Sequence, residues 1–224
     1  RTLLETYVGS HAGELILAGA TRRGSGTTVS AAILICDLRD FTKISDNWPR
    51  DDVIDLLNGY FDAMSEPITR HGGEILKFIG DGMLAIFPLS HPAACANLLR
   101  AVSEARQAMV ALNERHGETG RAPLDYGIGI HVGDVIVEGE DLMGDGINIA
   151  ARLESIAAVG GISISRAVHD QVRDRIKVTF DDKGEVALKN IARPVQVFTF
   201  SGANSAASVT VTPSALALPD KPSI

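Results

Sequence analysis

Cysteine is scarce in this chain, with two among 224 residues, Cys36 and Cys95. Their separation matches no metal-ligand spacing and builds no disulfide framework, so both are expected as reduced, buried small side chains. That usage suits a cytoplasmic compartment. Long apolar runs are also missing: none approaches the roughly 18 residues needed to cross a bilayer. The N-terminus lacks the charged, apolar and small-residue succession of a signal peptide. Basic charge is not in excess either. With a formal net charge of −7 and dispersed lysines and arginines, no basic stripe forms, which argues against nucleic acid as the main partner but leaves nucleotides open. The chain opens on Arg1 rather than methionine. It is therefore read as a piece of a longer protein, including a membrane-anchored one, with a regulatory domain upstream.

What is present is 45% hydrophobic, enough to bury one sizeable core, and a single main domain is the first expectation. Residues 1–29 read as a helical connector, 30–200 as the domain, and 201–224, rich in serine, alanine and proline, as a tail. SAAILICD, 30–37, is apolar and β-branched, which predicts a buried central strand. A helical region follows from Phe41 to Arg70, interrupted at Trp48-Pro49, with Val53, Ile54, Leu57, Tyr60, Phe61 and Met64 at helical spacing. EILKFI and MLAIF flank Gly80-Asp81-Gly82, a hairpin signal. Another helix is expected from Pro92 to His116. DYGIGIHVGDVIVEG then predicts two strands joined at Gly133-Asp134, GDGINIAARLESIAAVGG a helix over 144–161, and VQVFTF a last strand. This order predicts an α+β, ferredoxin-like (split βαβ) domain with an antiparallel central sheet and flanking helices. In that topology the second hairpin strand inserts beside the first strand. Asp81, at the hairpin tip, then becomes a neighbour of Asp37.

Two carboxylates placed so repel each other unless a cation sits between them. Oxygen ligands of this kind suit magnesium or manganese, which share coordination between one or two carboxylates and substrate phosphates. The loop LRDFT leads into a helix whose first amides, at Phe41 and Thr42, are free to receive phosphate oxygens. Two unrelated turn acids would explain the same residues, since aspartate is common in turns. Asn148 and Arg152, four apart on a predicted helix, share one face and could be its solvated side. Lys77 sits in the polar slot of an alternating strand, and Asp141 could be a loop acid.

ICDLRDFTKIS, LKFIGDGMLAIF and DLMGDGINIAARLES, in this order and spacing, resemble the three signature segments of the class III adenylyl and guanylyl cyclase catalytic domain. The resemblance spans about residues 30–200, and TYVGSHAGELILAGATRRG resembles the connector that precedes such domains in bacterial cyclases. It implies that Asp37, Asp81 and the Leu38 carbonyl bind two divalent metal ions, Mg2+ or Mn2+. It also implies that Lys77 and Asp141 read adenine, Asn148 orients ribose and Arg152 serves the transition state. Lys189, in ALKNIARPVQVF, would contact the terminal phosphates. Guanylyl cyclases commonly carry glutamate and cysteine where this chain has Lys77 and Asp141, so ATP is the expected substrate, with GTP or a silent regulatory domain as alternatives. Family sites lie between two domains; one chain holding both residue sets implies a head-to-tail homodimer with two shared sites. Asp40 departs from the glycine the family more often has there and is expected in a turn conformation, its side chain toward solvent. RHGGEIL offers a rival resemblance, to the GGDEF hairpin of diguanylate cyclases.

Overall fold

A computed structural model of the chain describes residues 27–138, 141–176 and 178–200. The connector before residue 27 and the tail from residue 201 lie outside the described residues. Strand β1 (Thr27–Leu38) is buried on both faces. Ala32, Leu34, Cys36 and Leu38 enter one apolar cluster, and Ala31 and Ile33 enter another. That two-sided burial is why its sequence reads as a continuous apolar run instead of an alternation.

Helices α1 (Phe41–Asn47) and α2 (Arg50–Arg70) follow. Trp48, forced out of helical conformation by the proline after it, is extended between them. The buried stripe of α2 is Leu56, Tyr60, Met64, Pro67 and Ile68. It differs from the expected one at Ile54, which is 44% exposed. Ile54 lies two residues before Leu56, about 200° round the helix, and so faces away from the core.

Strands β2 (Glu74–Ile79) and β3 (Gly82–Pro88) form the expected hairpin, and α3 (Ala94–Glu118) crosses back over the sheet. The two strands expected at Gly133-Asp134 are instead one strand, β4 (Tyr126–Glu138). It pairs with β1 along its whole length, from Leu38 opposite Tyr126 to Thr27 opposite Val137. Within that ladder the Ser30 hydroxyl donates to Asp134 Oδ1 at 2.5 Å. Continuous pairing leaves no turn at Gly133, and the end of β4 pairs antiparallel with a short strand β5 (Asp141–Met143).

Helix α4 (Asp145–Ser155) stops sooner than its glycine pair suggests. The Gly160 amide donates to the Tyr126 carbonyl at 2.7 Å, drawing the chain onto the sheet to start β6 (Gly161–Ser165). Helix α5 (Arg166–Val172), β7 (Phe180–Val186) and β8 (Val195–Phe200) complete the fold. The sheet order is β2-β3-β1-β4-β6-β8-β7, antiparallel except for the β4–β6 pair. Its first four strands, with β3 inserted between β2 and β1, are the split βαβ arrangement. Helices α2 and α3 cover one face through the larger apolar cluster, while α4 lies on the other through Ala150 and Ile147. No helix among the described residues is long and apolar enough to cross a membrane.

Candidate active site

The insertion of β3 beside β1 brings Asp81, in the turn between β2 and β3, to Asp37 at the end of β1. Asp37 falls two residues after Ile35 and four after Ile33, so it stands on the same sheet face, the one that carries α4. Its surroundings disfavour charge. Burial, the Asp81 carboxylate and, more weakly, Glu154 push Asp37 from 3.8 to about 7, against a smaller stabilising contribution from the Leu38 backbone. The two carboxylates can share a proton, but with both ionised Asp37 Oδ1 is buried without a hydrogen-bond donor. Gly82 keeps the corner tight, since a Cβ there would lie 3.2 Å from Asp37 Oδ1. Beneath it, Cys36 is fully buried and its thiol is pushed up to about 12, chiefly by burial.

An orphaned carboxylate oxygen beside a second carboxylate fits a hard divalent cation. Among the described residues no group of three or more histidines, cysteines, aspartates or glutamates could hold a metal. The chain's own share would then be two carboxylates and the backbone carbonyl of Leu38, the last residue of β1. That small donor set leaves coordination positions for phosphate oxygens and water.

The remaining residues lie on other elements. Lys77 is exposed on the edge strand β2, opposite Leu84 and thus on the α4 side of the sheet. Asp141 opens β5, and its side chain is outside the described residues. Asn148 is exposed and Arg152 half-buried on α4. Arg152 Nε donates to the Lys189 carbonyl at 3.2 Å, so the structure brings these two together. The turn carrying Lys189 is closed by the Ile191 amide on the Leu188 carbonyl at 3.1 Å, with Leu188 buried against Leu153 of α4. Among the described residues no hydrogen bond or ion pair joins Asn148, Arg152 or Lys189 to Asp37 or Asp81.

Asp40 heads α1 with φ 55° and ψ 23° and makes no capping hydrogen bond. Its carboxylate instead takes the exposed Lys43 ammonium at 2.7 Å. The first amides of α1, at Phe41 and Thr42, are therefore not occupied by the Asp40 side chain, as the turn reading expected. In the GGDEF-like stretch, Gly72 and Gly73 close α2 and Glu74 opens β2; the hairpin tip is at Gly80-Asp81. Two residues near the corner escaped the sequence reading: Arg39, next to Leu38, and Glu154, two residues beyond Arg152. The Arg39 guanidinium stands 2.9 Å from Glu154 Oε1. A glycine at alternate strand positions was their available signal, because glycine inside a strand marks a close approach. A Cβ on Gly129 would fall 2.1 Å from the Ala150 carbonyl of α4.

Residues 25–202 match the family model of the adenylate and guanylate cyclase catalytic domain. Over 171 residues, 76% of this chain, the sequence is 33% identical to putative adenylate cyclase 3 of Rhizobium meliloti, of which that stretch is 28%. The matched stretch spans less than a third of the length of this relative and of two others, named adenylate cyclase of Anabaena cylindrica and adenylate cyclase 1 of Rhizobium meliloti. Among solved structures, the adenylyl cyclase CyaB of P. aeruginosa superposes with a TM-score of 0.72 at 26% identity, covering 80% of this chain and 97% of that one. The guanylyl cyclase Cya2 superposes with a TM-score of 0.71 at 29% identity, covering 84% and 99%.

Proposed function

The chain belongs to the adenylate and guanylate cyclase catalytic-domain family, and on that premise we propose that it converts ATP to 3′,5′-cyclic AMP and pyrophosphate. The observation that carries the reading is the Asp37–Asp81 corner, with its buried oxygen lacking a donor. Asp37, Asp81 and the Leu38 carbonyl would hold two divalent cations, Mg2+ or Mn2+, which when bound would acidify the ribose 3′-hydroxyl and neutralise triphosphate charge. The 3′-oxygen, giving up its proton to water, attacks the α-phosphorus, and the bond from that phosphorus to the α,β-bridging oxygen breaks as pyrophosphate leaves with the oxygen.

The chain's own residues then act by positioning and electrostatics. Lys77 donates to adenine N1 and Asp141 accepts from the 6-amino group, whereas guanine presents the reverse pattern, which supports ATP over GTP. Asn148 orients the ribose. Arg152 stabilises the charge growing around phosphorus, while Lys189 and the amides of Phe41 and Thr42 hold phosphate oxygens. Among the described residues no hydrogen bond or ion pair joins Asn148 or Arg152 to the acidic corner, and Ile79, two residues before Asp81, is 59% exposed. Both facts support a head-to-tail homodimer in which each site takes its acids from one protomer and α4 from the other. The domain is assigned to 30–200, with 1–29 a connector to an upstream regulatory domain and 201–224 a tail; the reaction is assigned to the cytoplasm.

Product analysis tests this. The purified chain with Mn2+ and ATP is expected to yield cyclic AMP, lost on Asp37→Ala. Equal or faster formation of cyclic GMP from GTP would reject the adenine reading. Intact dimers that turn over neither nucleotide would favour a regulatory domain.

A further inference from the structure

We infer that Arg39 and Glu154 form a clamp that positions both halves of the catalytic machinery from within a single protomer; this rests on the shared-site reading above. Arg39 follows Leu38, and its amide donates to the Asp125 carbonyl at 2.7 Å. Its guanidinium reaches the end of α4. There Nη2 donates to the carbonyls of Glu154 at 2.6 Å and Ala157 at 3.3 Å. Nη1 stands 2.9 Å from Glu154 Oε1. The last carbonyls of a helix lack intrahelical donors and carry the negative end of its dipole, so a guanidinium there caps the helix.

The site is built for this side chain. A Cβ on Gly127 would lie 2.1 Å from Arg39 Nη2 and 2.8 Å from Glu154 Oε1. Only glycine at 127 leaves the guanidinium its path between β4 and α4. Glu154 is 6% exposed, and its Oε1 is buried without an aligned hydrogen bond. Its charge faces Asp37 and Asp81, which already repel each other. Arg39 offsets that charge, and removing one partner of a buried pair leaves the other uncompensated.

The two ends of the clamp are short levers. Arg39 is joined directly to the Leu38 carbonyl, with Asp37 one residue further back. Only Leu153 separates Glu154 from Arg152. Neither Arg39 nor Glu154 touches substrate in this account; both are positioning residues. In the homodimer Asp37 and Leu38 serve one site and Arg152 the other, so one clamp sets half of each site.

Chain-specific placement tests this. In a dimer of Asp37→Ala with Arg152→Ala, the one intact site takes its acids from the Arg152→Ala chain and α4 from the Asp37→Ala chain. Arg39→Ala added to the Arg152→Ala chain is expected to weaken Mn2+ binding about 10-fold, with kcat at saturating metal little changed. Added to the Asp37→Ala chain, it should lower kcat about 10-fold and leave Mn2+ binding alone. Mn2+ affinity is read without turnover, by electron paramagnetic resonance with a non-cyclisable ATP analogue. Arg39→Lys, which keeps the charge, should give smaller effects of the same kind, and serves if Arg39→Ala does not fold. Gly127→Ala should reproduce Arg39→Ala and add nothing in its presence. Identical effects from both placements, or none from either, would overturn the clamp. No activity in the parent heterodimer would overturn the shared-site reading, and the clamp with it.

Discussion

The acidic corner at the end of β1 and the outer face of α4 lie on the same side of one sheet, yet the chain holds their side chains in different ways. At the corner, Asp37 and Asp81 are neighbours, and one buried oxygen lacks a donor. On α4, Asn148 is exposed and Arg152 is tied by one bond to the Lys189 carbonyl. The first region stores repulsion that a divalent cation, in the proposed reaction, would relieve. The second holds side chains at little cost and, in the proposed homodimer, would meet the other half of a site. The proposed function thus opposes stability at the corner and is nearly neutral to it on the helix.

Substitution separates the two most sharply. Asp37→Asn should lower cyclase activity at least about 10^3-fold, a loss of roughly 4 kcal/mol in transition-state stabilisation. Relief of carboxylate repulsion in the metal-free chain should at the same time raise its melting temperature by roughly 2–4 °C. Arg152→Ala should cost roughly 10^2–10^3-fold in kcat while leaving the melting temperature within about 1 °C. Calorimetry in a chelating buffer, set beside the kinetics, measures both. Equal stability shifts in the two variants would break the contrast.

A smaller effect belongs to the sheet beneath both regions. Burial lowers His131 from 6.5 to about 4, its Nδ1 lying 2.8 Å from the Ser165 hydroxyl. Because the unfolded chain takes up this proton first, the stability contribution is complete above pH 6.5 and is lost as pH falls toward 4. Denaturant melts over that window should flatten in His131→Gln. The smallest change is expected at Asp40→Gly. Asp40 is paired with Lys43 on the surface and does not cap α1, so the ATP KM should move by no more than about twofold. A large fall would show that Asp40 restrains nucleotide binding.

How much could be read from the sequence follows the same division. The hairpin at Gly80-Asp81 and the apolar run of β1 are local signals, and the split βαβ rule turns them into the meeting of Asp37 with Asp81. Gly133 misled because glycine in a strand resembles a turn. In β4 the glycines are instead where α4 and Arg39 press against the strand, as Gly127 and Gly129 show. For Arg39 and Glu154 those glycines were the only signal, and an indirect one, since an arginine in a loop and a glutamate on a helix are ordinary until the fold joins them. The stripe of α2 was displaced at Ile54 for a related reason. Helical spacing alone does not say which of two adjacent rows meets the sheet.

Mixing Asp37→Ala chains with Arg152→Ala chains, each nearly inactive alone, tests the central claim most directly. Random pairing leaves one intact site in half the dimers, so cyclic AMP synthesis should recover to about a quarter of the unmutated rate. No recovery in a mixture shown to contain heterodimers would contradict the account.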